Sequence, residues 1–292
     1  MFLFKFMLII IFSFFTSISI AIGVPSPFNT KFNLVSSNKN MPNNLKSFFL
    51  RPDYYFGENS NQWLGGDNDN SFALPDGRYL WTFGDTLIGK FKIDNDSKSP
   101  GYYRDYKYFI HDTVGIYDPS YANKINYYWK NNGIGGSPSP VFNIEKPGSS
   151  VYHWILSGSA IKSGNDQGYK VLLGLDRISP TTDFFKIKNT AWILIGNPQE
   201  SPLNWKYKTL TIPNTGSNLN FSTSMFTYKK WIYILGQRGG DSVLSRVKKK
   251  AFFKFNNKTD ILNSIEYLVT GKNRAHWSHK YSSIADLAVV KG

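Results

Sequence analysis

The chain has 292 residues, no cysteine, and 23 Phe, 18 Tyr and 8 Trp. The missing cysteines exclude a disulfide scaffold and thiolate-ligated zinc or iron–sulfur centres, and 41% apolar residues exclude a disordered chain despite the low charged fraction of 18%. The net charge of +14 comes mostly from lysines scattered along the sequence rather than gathered on one arm, which argues against a nucleic-acid protein and leaves attraction to an acidic surface open.

Residues 1–23 open with Lys5, followed by the run Phe6-Met7-Leu8-Ile9-Ile10-Ile11-Phe12 and small-x-small sites at Ser19-Ile20-Ala21 and Ala21-Ile22-Gly23. This order predicts a secretory signal peptide and an exported protein, secreted or periplasmic. The alternative is an uncleaved anchor over residues 2–22, the one membrane contact the sequence offers. Residues 24–50 are rich in Asn, Ser, Lys and Pro and read as a lead-in segment. The remainder, 51–292, reads as one β domain.

Within it, Ser71-Phe72-Ala73-Leu74, the turn Pro75-Asp76-Gly77 and Arg78-Tyr79-Leu80-Trp81-Thr82-Phe83 predict a hairpin. Two more follow. Val151–Leu156 and Tyr169–Leu173 flank a Ser163–Gly168 turn, and Ser224–Tyr228 and Trp231–Leu235 flank Lys229-Lys230. The second strands end alike, on Phe83-Gly84-Asp85, on Leu173-Gly174-Leu175-Asp176 and on Leu235-Gly236-Gln237. Helical periodicity is scarce. An all-β fold made of repeated antiparallel units favours a five-bladed β-propeller, with a two-sheet sandwich as the alternative. Ala285–Val290 reads as an apolar strand, either a simple edge or the start of a hairpin in a propeller incomplete at its C-terminus.

Several patterns lead to no chemistry. Gly133–Pro138 lacks the helix of a dinucleotide loop, and His276-Trp277-Ser278-His279 lacks further ligands for a metal. Asp67-Asn68-Asp69-Asn70-Ser71 begins like a calcium loop, but Phe72 and Arg78 occupy its required Gly and Glu positions. No metal or cofactor is expected. The Arg246–Lys250 run reads as a solvated turn or strand edge.

The segment Trp63-Leu64-Gly65-Gly66-Asp67, Leu74-Pro75-Asp76-Gly77 and Trp81-Thr82-Phe83-Gly84-Asp85-Thr86 resembles the first blade of secreted five-bladed propellers related to glycoside hydrolases. These are bacterial domains of formerly unknown function that include endo-arabinanases. The resemblance runs roughly from Trp63 to Gly240, with Ile110–Ile116 similar to a His-Asn-(Ser/Thr) strand of that family and Trp231–Gly236 to a later blade core.

The resemblance implies carboxylate acid/base catalysis on a cell-wall or environmental polysaccharide. Asp67 leads as acid/base residue, Asp85 and Asp112 are the next catalytic candidates, and Trp63, His111 and Trp154 are candidates for glycan contact. Relatives carry a carboxylate segment where this chain has Trp154-Ile155-Leu156-Ser157. Either Asp166, Asp176 or Glu200 substitutes for it, or the protein is a non-catalytic carbohydrate- or surface-binding propeller, or an inactive remnant. The expected partner is a glycan, and the oligomeric state is not legible.

Overall fold

The computed structural model describes residues 62–94, 101–120, 125–146, 148–162, 168–182, 184–254, 257–272 and 274–290. The signal and lead-in segments, Asp166 and most of the Ser163–Gly168 turn lie outside these residues. Among the described residues the protein is all-β, with sixteen strands in four antiparallel sheets. The α-helices among the described residues are two short ones, α1 (Ala251–Lys254) and α2 (Lys258–Asn263).

The three hairpins expected from the sequence open three separate sheets. The first sheet has the order β2 (Asn70–Ala73), β3 (Tyr79–Phe83), β6 (Thr113–Tyr117), β7 (Ile125–Tyr128). The second runs β8 (Tyr152–Lys162), β9 (Tyr169–Pro180), β10 (Phe185–Ile195), β11 (Tyr207–Thr211). The third runs β12 (Leu219–Tyr228), β13 (Trp231–Arg238), β14 (Asp241–Lys248), β15 (Glu266–Val269), β16 (His276–Ser278). A smaller sheet has the order β1 (Gln62–Gly66), β4 (Thr86–Asp94), β5 (Gly101–Ile110); β1 precedes β2, and β4 and β5 lie between β3 and β6 in the chain. No closed ring of blades is formed by the described residues.

Turn chemistry matches the sequence at two places. Gly77 has φ +91° after Pro75-Asp76, and Lys229 has φ +49° in the β12–β13 turn. Elsewhere the structure departs from the expectation. Ile110–Ile116 is not one strand: it breaks at His111-Asp112, where Asp112 adopts φ +56°. Ala285–Val290 is no strand either, because Ser283 and Asp286 form a capping box around a 3-10 turn at Ile284–Asp286, and only an isolated Val269–Leu287 bridge follows.

Two buried clusters hold the sheets. Leu80, Val114, Ile155, Leu173, Leu175 and Ile193 fill the space between the first and second sheets. Trp192, Leu172, Phe221, Ile232, Ile234 and Phe252 fill that between the second and third. Strand β8 contacts β2 on one side and β12 on the other, and its small residues permit this. A Cβ on Gly158 would lie 2.3 Å from the Phe72 ring. Ser157, buried, donates its hydroxyl to the Ser222 carbonyl at 2.5 Å.

Behind β8, the buried Asp176 accepts from Ser222 (2.7 Å), Thr190 (3.1 Å) and Asn220 (3.3 Å), which ties β9, β10 and β12 together. Gly158→Ala should therefore overpack the β2–β8 contact and lower stability by about 1–3 kcal/mol. Adding Phe72→Ala should cost less in that background than in wild type, measured as a double-mutant cycle by chemical denaturation.

Candidate functional site

Three turns converge at one end of the first sheet. The Asp67 N–H donates to the Asp85 carbonyl (3.0 Å), the Gly84 N–H to the Asp67 carbonyl (2.9 Å), and the Asp112 N–H to the Gly84 carbonyl (3.1 Å). The Asp67 carboxylate also accepts the Asp85 N–H at 2.8 Å. Gly84 suits this crowding, since a Cβ there would stand 3.0 Å from Asp67 Oδ1 and 3.2 Å from Asn68 Cβ, and both would have to give way slightly. Asn68, at φ +56°, turns its amide outward to donate to the Ile155 carbonyl at 2.8 Å, fixing the turn against β8.

Asp85 is the centre of the cluster. His111 Nδ1 lies 2.6 Å from its Oδ1, and Trp154 Nε1 donates to the same oxygen at 2.8 Å. Burial acts to raise the Asp85 carboxyl, but these two partners outweigh it and hold the group below its ordinary value. Tyr152 stacks on His111 with ring centres 3.9 Å apart and 8° between planes. Phe109 meets His111 edge-on, and Phe185 meets Trp154 edge-on at 4.5 Å. Phe109 and Phe184, the latter stacked on Phe185, are largely exposed. The carboxylates thus border an aromatic wall.

The neighbouring acids are shifted the other way. Burial first, and then the charge of Asp85, raises Asp67 despite its bond from the Asp85 N–H. Asp69 keeps solvent access, yet desolvation by the surrounding protein and the charge of Asp67 push it up to about 6. One small area therefore contains a carboxylate held ionised and others held toward the protonated form, the condition for dividing base and acid roles.

The other expected residues are distributed differently. Asp112 is 1% exposed, with one oxygen lacking a partner and the Ile155 N–H on its carboxylate. It lies beneath the turns, where no ligand reaches it. Trp63 stacks on Tyr127 at 4.1 Å, packs on Phe83 and donates Nε1 to Thr113, so it belongs to the packing under the site. Asp176 is sealed in the polar clasp described above. Glu200 is exposed in the β10–β11 connection, remote from Asp85.

Sequence reading missed Asp69, Tyr152 and Phe185 as members of this cluster. Asp69 carries a signal in its Asp-x-Asp spacing with Asp67, which the incomplete calcium-loop pattern masks. Among the described residues no group of three or more His, Asp or Glu is arranged to hold a metal ion. An open concavity of about 400 Å³ lies elsewhere, lined by Asn218, Arg238, Gly239, Ile284 and Ala285. Its Arg238 is already engaged by Asp241 and by the carbonyls of Ile284, Ala285 and Leu287.

The family model described as Domain of unknown function (DUF5005) matches residues 52–289. The chain belongs to this family. Both the carboxylate cluster and the three main sheets lie inside the matched span. A solved structure from Bacteroides ovatus ATCC 8483, described provisionally as a hydrolase, shares the fold. The TM-score is 0.52 with 15% identity, over 77% of this chain and 56% of that one. The chain thus spans little more than half of that protein. No curated protein matches the chain.

The buried Asp112 makes a testable contribution. Desolvation raises its carboxyl well above the ordinary value, so the folded state binds this proton more tightly than the unfolded state. Its stabilising share is complete below the unfolded value and is lost as pH rises through the folded one. Asp112→Asn should flatten the decline in melting temperature as pH is raised from acid to neutral, read by calorimetry.

Proposed function

We propose that this protein is an exported hydrolase of glycoside-hydrolase type, acting on a cell-wall or environmental polysaccharide through the Asp67, Asp69 and Asp85 cluster. The observation that carries this reading is the opposed tuning of neighbouring carboxylates beside an exposed aromatic wall. Asp85 is kept ionised by His111 and Trp154, while Asp69 is raised to about 6. Glycosidic cleavage needs one carboxylic acid to protonate the leaving oxygen and one carboxylate to activate water or attack carbon. Asp69, with Asp67 raising it, suits the first role; Asp85 suits the second, with His111 and Trp154 as positioning residues.

A structural comparison within the chain adds weight. In the third sheet, Asn220 accepts the Gln237 N–H at 3.0 Å, the same backbone task that Asp67 performs for Asp85. A neutral amide is enough for that task. The charge at Asp67 exceeds what the turn requires, which supports a chemical role.

The propeller reading rests on the three successive meander sheets whose first strands β2, β8 and β12 lie side by side, as the inner strands of blades do. The sheet count among described residues is four rather than five, so closure of the ring belongs to the proposal. Export rests on the signal-like order of residues 1–23.

One observation favours a second reading, a glycan-binding protein without turnover. Ser157, at the position where relatives have a carboxylate, is buried and bonded to Ser222, so it offers nothing to a ligand. Incubation with arabinans, galactans and mannans separates the two readings. Released oligosaccharides support hydrolysis, and saturable binding without release supports the second.

If hydrolysis is observed, Asp85→Asn and Asp69→Asn should each reduce turnover by about 10²–10⁴-fold. The rate should fall as pH rises above about 6, where Asp69 loses its proton, and should fall again in acid as Asp85 gains one. Unchanged turnover in Asp85→Asn would remove that residue from the mechanism.

A further inference from the structure

Lysines that are scattered in sequence are gathered by the topology. In every antiparallel meander alternate turns fall at the same end, and the registers show which. Trp154 pairs with Asp176 and Asn220 with Gln237 at the end near the carboxylates. Lys162 pairs with Tyr169, Tyr228 with Trp231, and Trp231 with Lys248 at the opposite end. The Lys249 N–H donates to the Lys230 carbonyl at 2.9 Å, joining the two lysine-bearing turns of the third sheet. Lys162, Lys229, Lys230, Lys248, Lys249 and Lys250 therefore share one end of the second and third sheets.

Among the described residues none of these six has a carboxylate within 4.0 Å. Among the described residues the second and third sheets contribute Glu200, Asp260 and Glu266 as acidic residues near this end; Asp260 is bonded to Asn257 and Glu266 to Arg246. The cluster is not there to balance the protein's own acids. Ten residues of β12 separate the two ends, roughly 30 Å at about 3.3 Å per residue.

We propose that this lysine end is a second, non-catalytic docking surface for an anionic polysaccharide, held through its acidic groups while the carboxylate end faces away. Three features select this partner class. The residues are lysines at turns and strand ends, compact point charges suited to hydrated anions rather than to bidentate base or phosphate recognition. The nearby rings are covered by the protein's own cations: Lys229 lies over Tyr228, and Lys230, Lys248 and Arg246 over Trp231. That leaves few free faces for stacking nucleic-acid bases. The turn tips Lys229-Lys230 and Lys249-Lys250 carry no apolar side chain to insert into a bilayer, which interfacial binding requires.

The experiment uses the full chain on immobilised polygalacturonate, with neutral dextran and phosphatidylglycerol vesicles as the other arms. The expected result is binding to polygalacturonate and not to dextran, weakening as salt rises to about 0.15 M. The neutral variant Lys229→Asn/Lys230→Gln/Lys249→Gln/Lys250→Gln should lose about tenfold or more in affinity. Arginine at the same four positions should retain it, and Asp85→Asn should bind like wild type, which separates this surface from the proposed hydrolytic site. Salt-insensitive binding by the wild-type protein, equal binding by the neutral variant, or preference for the vesicles would each overturn the proposal.

Discussion

The architecture depends on how closely β8 can approach its neighbours on both sides. It contacts β2 through Gly158 against Phe72 and β12 through the bond from Ser157 to the Ser222 carbonyl. Larger side chains at either position would force the sheets apart. Because β8 is held there, Trp154 at its start reaches Asp85 in the neighbouring chain turn, and the Ile155 carbonyl receives Asn68. The same strand that seals the core therefore aligns the carboxylate cluster. Ser157 is there because close packing demands a small side chain able to bond.

Tight packing also explains the spread of titration behaviour. Withdrawal from water disfavours every carboxylate in the cluster, so the outcome for each depends on the donors it finds. Asp85 has an imidazole and an indole N–H on one oxygen and remains ionised. Asp69 is raised by desolvation and a neighbouring negative charge. Asp112 lacks a partner on one oxygen, and its burial raises it well above the ordinary value. Asp176, surrounded by three donors in the next interface, remains raised because its burial outweighs them. Three acids near one seam thus differ through geometry rather than residue type.

Antiparallel topology imposes a second order, on charge. Turns at one end bring Asp67, Asp85 and the His111-Asp112 break together, and turns at the other carry Lys229-Lys230 and Lys249-Lys250. A chain whose positives look dispersed becomes a molecule with unlike ends. Arg246 is the exception within its basic run. It sits between the Trp231 and Trp277 rings at 4.0 and 3.9 Å and pairs with Glu266, so it serves the third sheet internally.

The sequence by itself determined the β class and the three hairpins. Alternating apolar residues, Asp-Gly turn chemistry and strand-ending glycines act over a few residues and can be read locally. It did not reveal that Ile110–Ile116 breaks at Asp112, because that break is stabilised by the Gly84 carbonyl, distant in sequence. Nor did it show that Trp63 is a packing residue, that Asp69 is raised toward neutrality beside Asp85, or that Tyr152 lies against His111. Each of these rests on which strand lies beside which. Only the tertiary structure decided it, through the close contacts β8 makes with β2 and β12.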